Sequence, residues 1–392
     1  MGPIEDRLRA TVEHLATLDR PSASDGERAA AEWIAARLRE LGLAARVEPE
    51  RAVGSFCPSL GGLTAAAAAA GRLAPRWGAA LVGALAAAGI YDDAGGGRHA
   101  VRRLLPHRTT FNVVAEAGDP HGARTLVFTA HHDAARGGVI FRPELMTWVA
   151  KAFPAWYARQ ETSPQIMRLV AAGPALVALG AATGARGLRR AGTAVAALSA
   201  LAFADIATRD VVPGANDNLS SVAALLELAR GLAADPPAGL RVVLVSTGAE
   251  ESFMEGMRGF VARHRAELEP DRTAVVVLES LGSPELILLE GEGMLRMHDY
   301  DTGAREELAA AAAEAGEPLR RGLRSGLATD ALIAHKAGLP AATLASVDRY
   351  KMAANYHTQR DLPHRVDYGT VAAGVRVCEA LIRRVAAAPA PA

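Results

Sequence analysis

The sequence predicts an α/β fold in which a mostly parallel central sheet is covered by helices on both faces. Two observations lead to this class. Short apolar runs typical of buried strands alternate along the chain with longer segments whose apolar residues recur at helical spacing. Polar side chains that bind metals follow several of the apolar runs directly, and in open α/β sheets ligands bind outside the carboxyl ends of the strands.

Six apolar runs are interpreted as strands. In chain order they are "TFNVVAEA", "RTLVFTAHHD", "LRVVLVSTG", "TAVVVLES", "ELILLEGEG" and "PAATLASVD". The segment "ERAAAEWIAARLRELG" is predicted to be a surface helix that begins after the capping residues Ser24 and Asp25 and ends at Gly42. Further helices are predicted at "SSVAALLELARGLAA", "GMRGFVARHRAEL", "AREELAAAAAEAG" and "YGTVAAGVRVCEALIRRVAA".

Charge and cysteine content narrow the function. Lys and Arg together number 43, as do Asp and Glu, so no overall field attracts nucleic acid, and a compact substrate is expected instead. The two cysteines, Cys57 and Cys378, form no CxxC pair or disulfide framework, which indicates a reducing compartment. The charged, helical N-terminal segment does not resemble a secretory signal. A cytoplasmic location is therefore expected.

Five segments each bring an acid or an imidazole to the same predicted edge of the sheet. Singly, each has an ordinary explanation, because Asp217 can cap the helix that follows it and the adjacent acids can lie in a solvated turn. Together, several unpaired carboxylates at one edge would repel one another, and divalent metal ions remove that repulsion. The residues are His131, His132 and Asp133 after "TLVFTA", Asp217 in "PGANDNLSS", Glu250 and Glu251 after "VVLVSTGA", Glu279 after "AVVVL", and His357 in "NYHTQRD".

The kinds of side chain in this set indicate the metal. Imidazoles and carboxylates without a thiolate suit zinc in an open catalytic site, with Mn²⁺ or Co²⁺ as substitutes. The set contains one acid too many for a single tetrahedral zinc ion. Two Zn²⁺ ions about 3.5 to 4 Å apart and bridged by one carboxylate would use all of the acids.

The same segments resemble the motifs of a known enzyme family. "TAHHDAA", "PGANDNLSSVAALLELAR", "VVLVSTGAEES", "VVVLESLGSPE" and "NYHTQRD" are similar, in order and placement, to the five motifs of the co-catalytic di-zinc aminopeptidase family. That family includes bacterial leucyl aminopeptidases, glutamate carboxypeptidases and glutaminyl cyclases. The resemblance implies a zinc-exopeptidase fold and a metal-dependent exopeptidase, with an aminopeptidase as the expected type and a peptide or small aminoacyl compound as the substrate.

The resemblance also assigns metal ligands, residue by residue. His131 and Glu279 would bind the first ion, although many relatives have aspartate at the latter position. Glu251 and His357 would bind the second ion, and Asp217 would bridge the two. A cis peptide bond after Asp217 is implied as well.

The catalytic roles follow in the same way. Glu250 would be the general base, and its carboxylate would accept a proton from the attacking water and return it to the leaving amine. Asp133 would orient the ring of the first imidazole ligand. Tyr356 resembles a family tyrosine that donates to the developing oxyanion, although an ordinary packed aromatic is the alternative. His132 is expected to be a spectator. Asp330 resembles a rim acid of the family, but the histidine that follows that acid in relatives is replaced by alanine here, so no role is assigned.

Three other functions stay open at the level of sequence. A glutaminyl cyclase uses a similar frame with one metal, and a carboxypeptidase or dipeptidase differs in specificity residues that the sequence does not identify. A membrane scaffold with an inactive peptidase domain is the non-enzymatic alternative, although no predicted ligand or base position is lost. The oligomeric state has no readable marker.

Two apolar insertions divide the chain. Residues 1–58, 92–163 and 208–388 are predicted to form one discontinuous metallopeptidase domain, and residues 59–91 and 164–207 to form two apolar helical hairpins. Either a cap over the active site or an element associated with a membrane accounts for the hairpins, and both hairpins are expected to pack together beside the active-site edge. The arginines expected at their far tips are Arg72, Arg76, Arg186, Arg189 and Arg190.

Overall fold

A computed structural model describes residues 2–388, apart from the side chains of residues 145 and 146. Its strands form one mixed nine-stranded sheet in the order β1-β2-β4-β3-β5-β9-β6-β7, and β8 pairs with β6. The strands are β1 (Ala44–Ala52), β2 (Arg108–Gly118), β3 (Arg124–His131), β4 (Leu240–Thr247), β5 (Thr273–Glu279), β6 (Glu285–Glu292), β7 (His298–Asp299), β8 (Arg320–Ser325) and β9 (Ala341–Val347).

Thirteen α-helices lie in the described part of the chain. They are α1 (Pro3–Leu15), α2 (Asp25–Glu40), α3 (Cys57–Leu73), α4 (Arg76–Ala94), α5 (Pro143–Ala152), α6 (Pro154–Ala158), α7 (Ile166–Thr183), α8 (Arg186–Thr208), α9 (Ser221–Ala234), α10 (Glu255–Arg263), α11 (Thr302–Glu314), α12 (Asp330–Lys336) and α13 (Tyr368–Ala387). The predicted cap of α2 is present, because the Ser24 side chain accepts a hydrogen bond from the Glu27 amide.

The sheet confirms the predicted fold class. Strands β4, β3, β5 and β9 are parallel neighbours at its centre, whereas antiparallel pairs β1-β2 and β6-β7 lie towards its edges. The central strands are apolar on both sides because helices cover both faces. Leu126 and Phe128 of β3 join one apolar cluster, which includes residues of α1, α2, α9, α11 and α13. Val127 joins the opposite cluster, which includes residues of α10 and α12.

The parallel strands fix where the site lies. His131 is the last residue of β3 and pairs with Thr247, the last residue of β4, and Glu279 is the last residue of β5. Because parallel strands end at one edge of the sheet, the loops that follow them meet there. The loop after β9 carries His357 to the same edge.

The two insertions form a four-helix assembly, which we call the helical bundle: α3 with α4, and α7 with α8. The hairpins pack on each other as predicted, with α3 against α8 and α4 against α7. Two of the helices, α7 and α8, are long and apolar enough to cross a membrane by length and composition. The division of the chain into a discontinuous domain and two insertions stays a prediction.

Two of the arginines at the tip of the bundle join one hairpin to the other. Arg76, at the start of α4, donates hydrogen bonds to the carbonyls of Ala181 and Ala182 near the end of α7. Arg189 of α8 donates to the carbonyls of Gly71 and Ala74, at 2.8 and 2.6 Å, where α3 ends. Because the last carbonyls of a helix have no partner within the helix, these arginines satisfy groups that would otherwise be exposed.

At its other end, the base, the bundle is joined to the metal-binding edge by a buried polar network. Asp93, near the end of α4, accepts hydrogen bonds from Ser59 of α3 and from Arg102, both at 2.6 Å. Arg102 also donates to the carbonyl of Ser252 at 2.7 Å. Ser252 follows Glu251 directly, so this chain of contacts runs from the insertion to the turn that carries the paired acids.

Candidate metal centre

The first group of candidate ligands is centred on His131. Its Nε2 lies 3.3 Å from Oδ1 of Asp217 and 3.7 Å from Oε1 of Glu279. One ligand atom from each of these three residues falls within 4.8 Å of the others, which is a separation that one metal ion can bridge. His131 and Asp217 are buried, and Glu279 is partly buried.

The second group is centred on His357. Its Nε2 lies 3.3 Å from Oδ2 of Asp217 and 3.1 Å from Oε1 of Glu251. These three residues also offer one atom each within 4.8 Å. Asp217 therefore belongs to both groups, with one carboxylate oxygen turned to each imidazole. All five sequence-predicted ligands come together at this edge.

Unsatisfied polar atoms at the centre fit a cation. Within the described residues, Oδ2 of Asp217 and Oε1 of Glu251 are buried and make no hydrogen bond of good geometry, although both lie near Nε2 of His357. A buried carboxylate oxygen without a partner is unfavourable, and a metal ion supplies the missing interaction. The donor set, two imidazoles and three carboxylates, is the one that zinc prefers in open catalytic sites.

The pKa values of the two histidines are shifted by the carboxylates that surround them. Burial alone would lower the pKa of His131, but the carboxylates of Asp133, Asp217 and Glu279 raise it well above its ordinary value. Burial likewise opposes protonation of His357, and Glu251 and Asp217 raise its pKa to about 10. The surrounding carboxylates thus favour positive charge at both imidazoles, which a bound metal ion would supply in place of a proton.

The carboxylates respond in two ways. Burial would raise the pKa of Asp217, but the two histidines hold it well below its ordinary range. Burial raises the pKa of Glu251 and of Glu279, against the lowering effect of the nearby imidazoles. Bringing several acids together in a buried site therefore needs positive charge, from protons or from metal ions.

Glu250 belongs to neither of the two groups that share Asp217, although it forms a third group of close ligand atoms with His131 and Glu251. Its Oε2 is 3.9 Å from Nε2 of His131. Burial raises its pKa well above the ordinary value, and the negative charges of Glu251 and Glu279 act in the same direction, against His131. Residues whose pKa is shifted by burial and charge in a cleft are typical of general acids and bases.

Asp133 holds the turn that carries the paired acids. Its two carboxylate oxygens accept the backbone amides of Glu250 and Glu251, each at 3.1 Å. Oδ1 also lies 3.3 Å from Nδ1 of His131, and Oδ2 accepts a hydrogen bond from Ser22 at 2.6 Å. The predicted orienting contact with His131 is accompanied by these backbone contacts, which the sequence motif does not reveal.

Tyr356 packs against the second imidazole. Its ring is stacked on that of His357 with 3.8 Å between centroids, and Phe141 meets both rings edge to face. Burial raises the pKa of Tyr356 well above its ordinary value, with the negative charge of Glu251 adding to the effect. The phenol is therefore held in its protonated form, able to donate a hydrogen bond.

His132 and Asp330, to which no role was assigned from the sequence, are both buried. Nδ1 of His132 lies 3.0 Å from Oγ of Ser246, and burial lowers the pKa of this imidazole to about 4. Asp330 accepts a hydrogen bond from Thr247 at 2.6 Å, and burial raises its pKa to about 7. Neither residue belongs to a candidate ligand group among the described residues.

The residues that hold the backbone around Asp217 in place were not predicted from the sequence. Asp361 accepts the backbone amides of Asn216 and Asp217 at 2.7 and 3.0 Å. The side chain of Asn218 accepts the amide of Ser280, directly after Glu279, at 2.8 Å. The peptide bond Asp217–Asn218 is cis, as the resemblance implied. Asp361 ends the motif "NYHTQRD", so its place in the motif was the available signal.

A pocket of about 520 Å³ opens beside these residues. Glu250, Glu251 and Tyr356 are among the residues that line it. The rest of its wall is largely apolar, and includes Ile287, Leu289, Leu323, Val347, Met352 and Trp156. Apolar pockets with a few polar groups are typical of sites for small ligands.

Comparison with known protein families gives one match. The model of Peptidase family M28 matches residues 199–382. This segment includes Asp217, the Glu250–Glu251 pair, Glu279 and His357, whereas His131 lies before it. No curated protein sequence matches the chain.

Solved structures share the fold at low sequence identity. LapB from Legionella pneumophila is similar with a TM-score of 0.58 and 13% identity, over 98% of this chain and 72% of LapB. BSAP, a zinc aminopeptidase from Bacillus subtilis, is similar with a TM-score of 0.57 and 16% identity, over 98% and 97% of the two chains. Glutaminyl cyclase from Tannerella forsythia is similar with a TM-score of 0.56 and 14% identity, over 96% and 97%.

The fold, the family match and the donor set agree on a class of protein. It is a zinc metallopeptidase, which is a hydrolase. The resemblance to the co-catalytic zinc aminopeptidase family is likewise confirmed.

Proposed function

We propose that this protein is a di-zinc aminopeptidase that removes an apolar residue from the N-terminus of a peptide. The observation that carries the proposal is the pair of three-residue ligand groups that share Asp217, beside Glu250 and a largely apolar pocket.

Each ligand group would hold one zinc ion. His131, Asp217 and Glu279 form the first group, and Asp217, Glu251 and His357 form the second. When bound, the two ions supply an acidified water and polarise the scissile carbonyl.

The protein's own groups move the protons. Glu250 accepts the proton of the attacking water and returns it to the leaving amine, which suits a carboxylate whose pKa is raised by burial. Asp133 keeps Glu250 in place through its backbone amide. Tyr356 donates its phenolic hydrogen to the carbonyl oxygen as negative charge develops there.

The charges of the pocket wall favour an aminopeptidase over a carboxypeptidase. A carboxypeptidase needs a free cation for the substrate's C-terminal carboxylate. Among the described residues of the wall, Lys351 donates to the carbonyls of Ala158 and Gln160, at 2.8 and 2.6 Å, and Arg324 donates to Asp299. Both cations already have partners, whereas acids surround the place where a free α-amine would lie.

A substrate screen tests the proposal. Aminoacyl amides with leucine, phenylalanine, alanine, lysine and glutamate would be compared with their N-acetylated forms, with zinc determined per chain. We expect hydrolysis of the free leucine and phenylalanine amides, little hydrolysis of acetylated ones, and two zinc ions. Cleavage of acetylated substrates with free ones ignored would contradict the aminopeptidase assignment.

The second candidate, a glutaminyl cyclase, is supported by the shared fold with the Tannerella forsythia enzyme. The same screen would include a glutaminyl peptide. Cyclisation of that peptide with one zinc ion per chain would favour the cyclase, because the two complete ligand groups would then be used only in part.

The cytoplasmic location stays a prediction. Cys57 and Cys378 are both buried free thiols, which is compatible with the reducing compartment that the sequence indicates.

A further inference from the structure

We propose that the helical bundle is embedded in a lipid bilayer and anchors the catalytic domain at the membrane. The proposal concerns the location of the protein and does not depend on its reaction. It starts from the outer surface of the bundle. Eleven large apolar side chains there are between 40% and 80% exposed: Leu73, Trp77, Leu81, Leu85, Tyr91, Ile166, Leu169, Leu179, Leu188, Leu198 and Leu201. A soluble protein rarely exposes so many together.

Away from the base, where Leu60, Ile90 and Phe203 are buried, the interior of the bundle is built from small residues. A Cβ atom added to Gly83 of α4 would lie 2.8 Å from the Ala178 amide nitrogen of α7. A Cβ added to Gly173 would lie 2.8 Å from the Ala196 nitrogen of α8, and one added to Gly192 would lie 2.5 Å from the Val177 nitrogen. The helix backbones therefore touch at glycines, and larger residues there would push the helices apart.

Small residues inside and large apolar residues outside are the reverse of a soluble bundle. In water, an amphipathic helix turns its large apolar side chains inward and its polar side chains outward. In a bilayer no hydrophobic force favours the interior, so helices associate through close contact at small residues while leucines face the lipid. The bundle has the second arrangement.

Polar groups within the bundle are satisfied internally, as lipid requires. The hydroxyls of Thr64, Thr193 and Ser199 each donate to the carbonyl four residues earlier in their own helix, at 2.8, 2.7 and 2.9 Å. At the tip, Arg76 and Arg189 donate hydrogen bonds to carbonyls near the helix ends of the neighbouring hairpin. A group without a partner would be costly in hydrocarbon, whereas water would satisfy it at a soluble surface.

The lengths of the helices and the positions of the aromatics match a membrane. At 1.5 Å per residue, the 18 residues of α7 and the 23 of α8 extend about 27 and 34 Å, close to the hydrocarbon thickness of about 30 Å. Trp77 lies at the tip and Tyr91 near the base, both exposed, and such aromatics are typical of the two membrane interfaces.

The distribution of the exposed side chains favours lipid over a second copy of the chain. They lie on all four helices, α3, α4, α7 and α8. A dimer would cover one side of the bundle and leave the others in water, whereas lipid surrounds all of it. The arginines at the tip would reach the polar headgroups by snorkelling.

Flotation of the purified full-length protein with lipid vesicles tests the proposal. Vesicles of phosphatidylcholine alone and of phosphatidylcholine with phosphatidylglycerol would each be used, and bound protein would be washed with alkaline carbonate. We expect the protein to float with both kinds of vesicle and to resist carbonate. Absence of flotation, or flotation only with the anionic vesicles followed by release in carbonate, would overturn insertion.

A matched pair of triple variants assigns the binding to the bundle. Leu81→Glu, Leu85→Glu and Leu198→Glu change exposed positions, so they are tolerated if the surface faces water and abolish insertion if it faces lipid. We expect the floating fraction to fall by at least about tenfold. The control, Ala10→Glu, Ala233→Glu and Ala313→Glu, adds three acids to exposed sites of α1, α9 and α11 and should float normally. Normal flotation of the leucine variant would contradict the proposal.

A conservative variant covers the case in which the triple leucine variant does not fold. Both the unchanged protein and Trp77→Phe would be placed in vesicles with brominated acyl chains. The difference between their fluorescence is the emission of Trp77, which reports on the tip of the bundle alone. We expect the Trp77 signal to be quenched by bromine. An unquenched Trp77, or a stable dimer in lipid-free buffer in which the same leucines are protected, would show that lipid does not cover the bundle.

Discussion

The metal centre and the helical bundle both reverse the usual distribution of side chains, in opposite senses. At the centre, ionisable groups that normally face water are buried together, including Asp133, Asp217 and His131. In the bundle, leucines and aromatics that normally lie inside face outward, as Leu198 and Trp77 do. Elsewhere most large apolar side chains are buried, although Leu104, Trp148 and Trp156 are also exposed.

Each departure indicates what surrounds the region in the working protein. We infer that cations stabilise the buried acids of the metal centre, and that lipid covers the exposed leucines of a bundle whose helices touch at glycines. The two regions therefore depart from the usual pattern of burial in opposite directions. If each departure depends on the proposed partner, removing that partner or its contacts should change the protein measurably.

Removal of the bridging acid should have the largest effect. Asp217→Ala takes one ligand from each group, so we expect loss of both zinc ions and of activity, measured by metal analysis and by turnover of a leucine amide. The control is Asp330→Asn, since Asp330 is a buried acid bonded to Thr247 and belongs to neither group. Full zinc content in Asp217→Ala would contradict the shared-ligand arrangement.

Replacement of the proposed base should separate metal binding from catalysis. Glu250→Gln should keep both zinc ions and lower kcat by at least about a hundredfold, the usual scale of general-base catalysis. Glu251→Gln, one residue away, should lose zinc from the second group. Equal turnover in the unchanged protein and in Glu250→Gln would remove Glu250 from the mechanism.

Loss of the buried guanidinium between the two regions should destabilise the protein by about 3 kcal/mol, because the buried carboxylate of Asp93 would then keep only Ser59 and His99 as partners. Arg102→Gln is the variant, and urea denaturation is the measurement. Arg103→Gln, at a neighbouring exposed position, should change stability little. Similar denaturation midpoints for both variants would show that the network is not structural.

Metal removal should lower stability to a similar or smaller extent. A ligand at a hundred times its dissociation constant stabilises a protein by about 2.7 kcal/mol, so chelation should lower the melting temperature and added zinc should restore it. In Asp217→Ala the chelator should have no effect. If the chelator does not lower the melting temperature of the unmutated protein, the buried acids are stable without cations.

The smallest effect is expected from the loss of an ion pair that belongs to neither region. His264 lies 2.9 Å from Glu48, which raises the pKa of His264 above 6.5, while that of Glu48 is lowered despite burial. The histidine's contribution is fully present below pH 6.5 and is lost as pH rises through its higher folded pKa. The carboxylate's contribution is present above pH 4.5 and is lost as pH falls through its lower folded pKa.

His264→Gln removes the titrating imidazole. Its stability deficit, about 1.5 kcal/mol for a hydrogen bond between charged groups, should therefore be largest between pH 4.5 and 6.5 and shrink towards alkaline pH. Denaturation curves at several pH values measure it. A deficit that grows with pH would have the wrong sign for this pair.

The sequence predicted that the five candidate ligands meet at one edge of the sheet, and the clearest signal was that His131 and Glu279 end apolar strands. A strand end can be located from local pattern, and parallel strands bring their ends together. The contacts that hold the ligands were not predictable in this way. Ser22 and Asp133 meet across 111 positions of the sequence, and Asp361 reaches the amide of Asp217 across 144.

Three strands escaped prediction for a different reason. β1 contains Pro49 and four charged residues, so its pattern is that of an exposed loop, and only pairing with β2 makes it a strand. β7 and β8 are short and polar. The environment of the hairpins was also undecided by composition, because alanine-rich helices suit a protein core and a membrane alike, and the direction of each leucine is a property of the fold.

The link from Asp93 through Arg102 to Ser252 limits how the protein can be shortened. Joining the chain across residues 59–91 would remove Ser59 and leave Asp93, the partner of Arg102, without one of its own hydrogen bonds. A cut made further up the hairpins, towards the arginine tip, would leave that network whole. The base of the bundle is thus part of the structure of the catalytic domain. A shortened, soluble enzyme for crystallisation would have to keep the base.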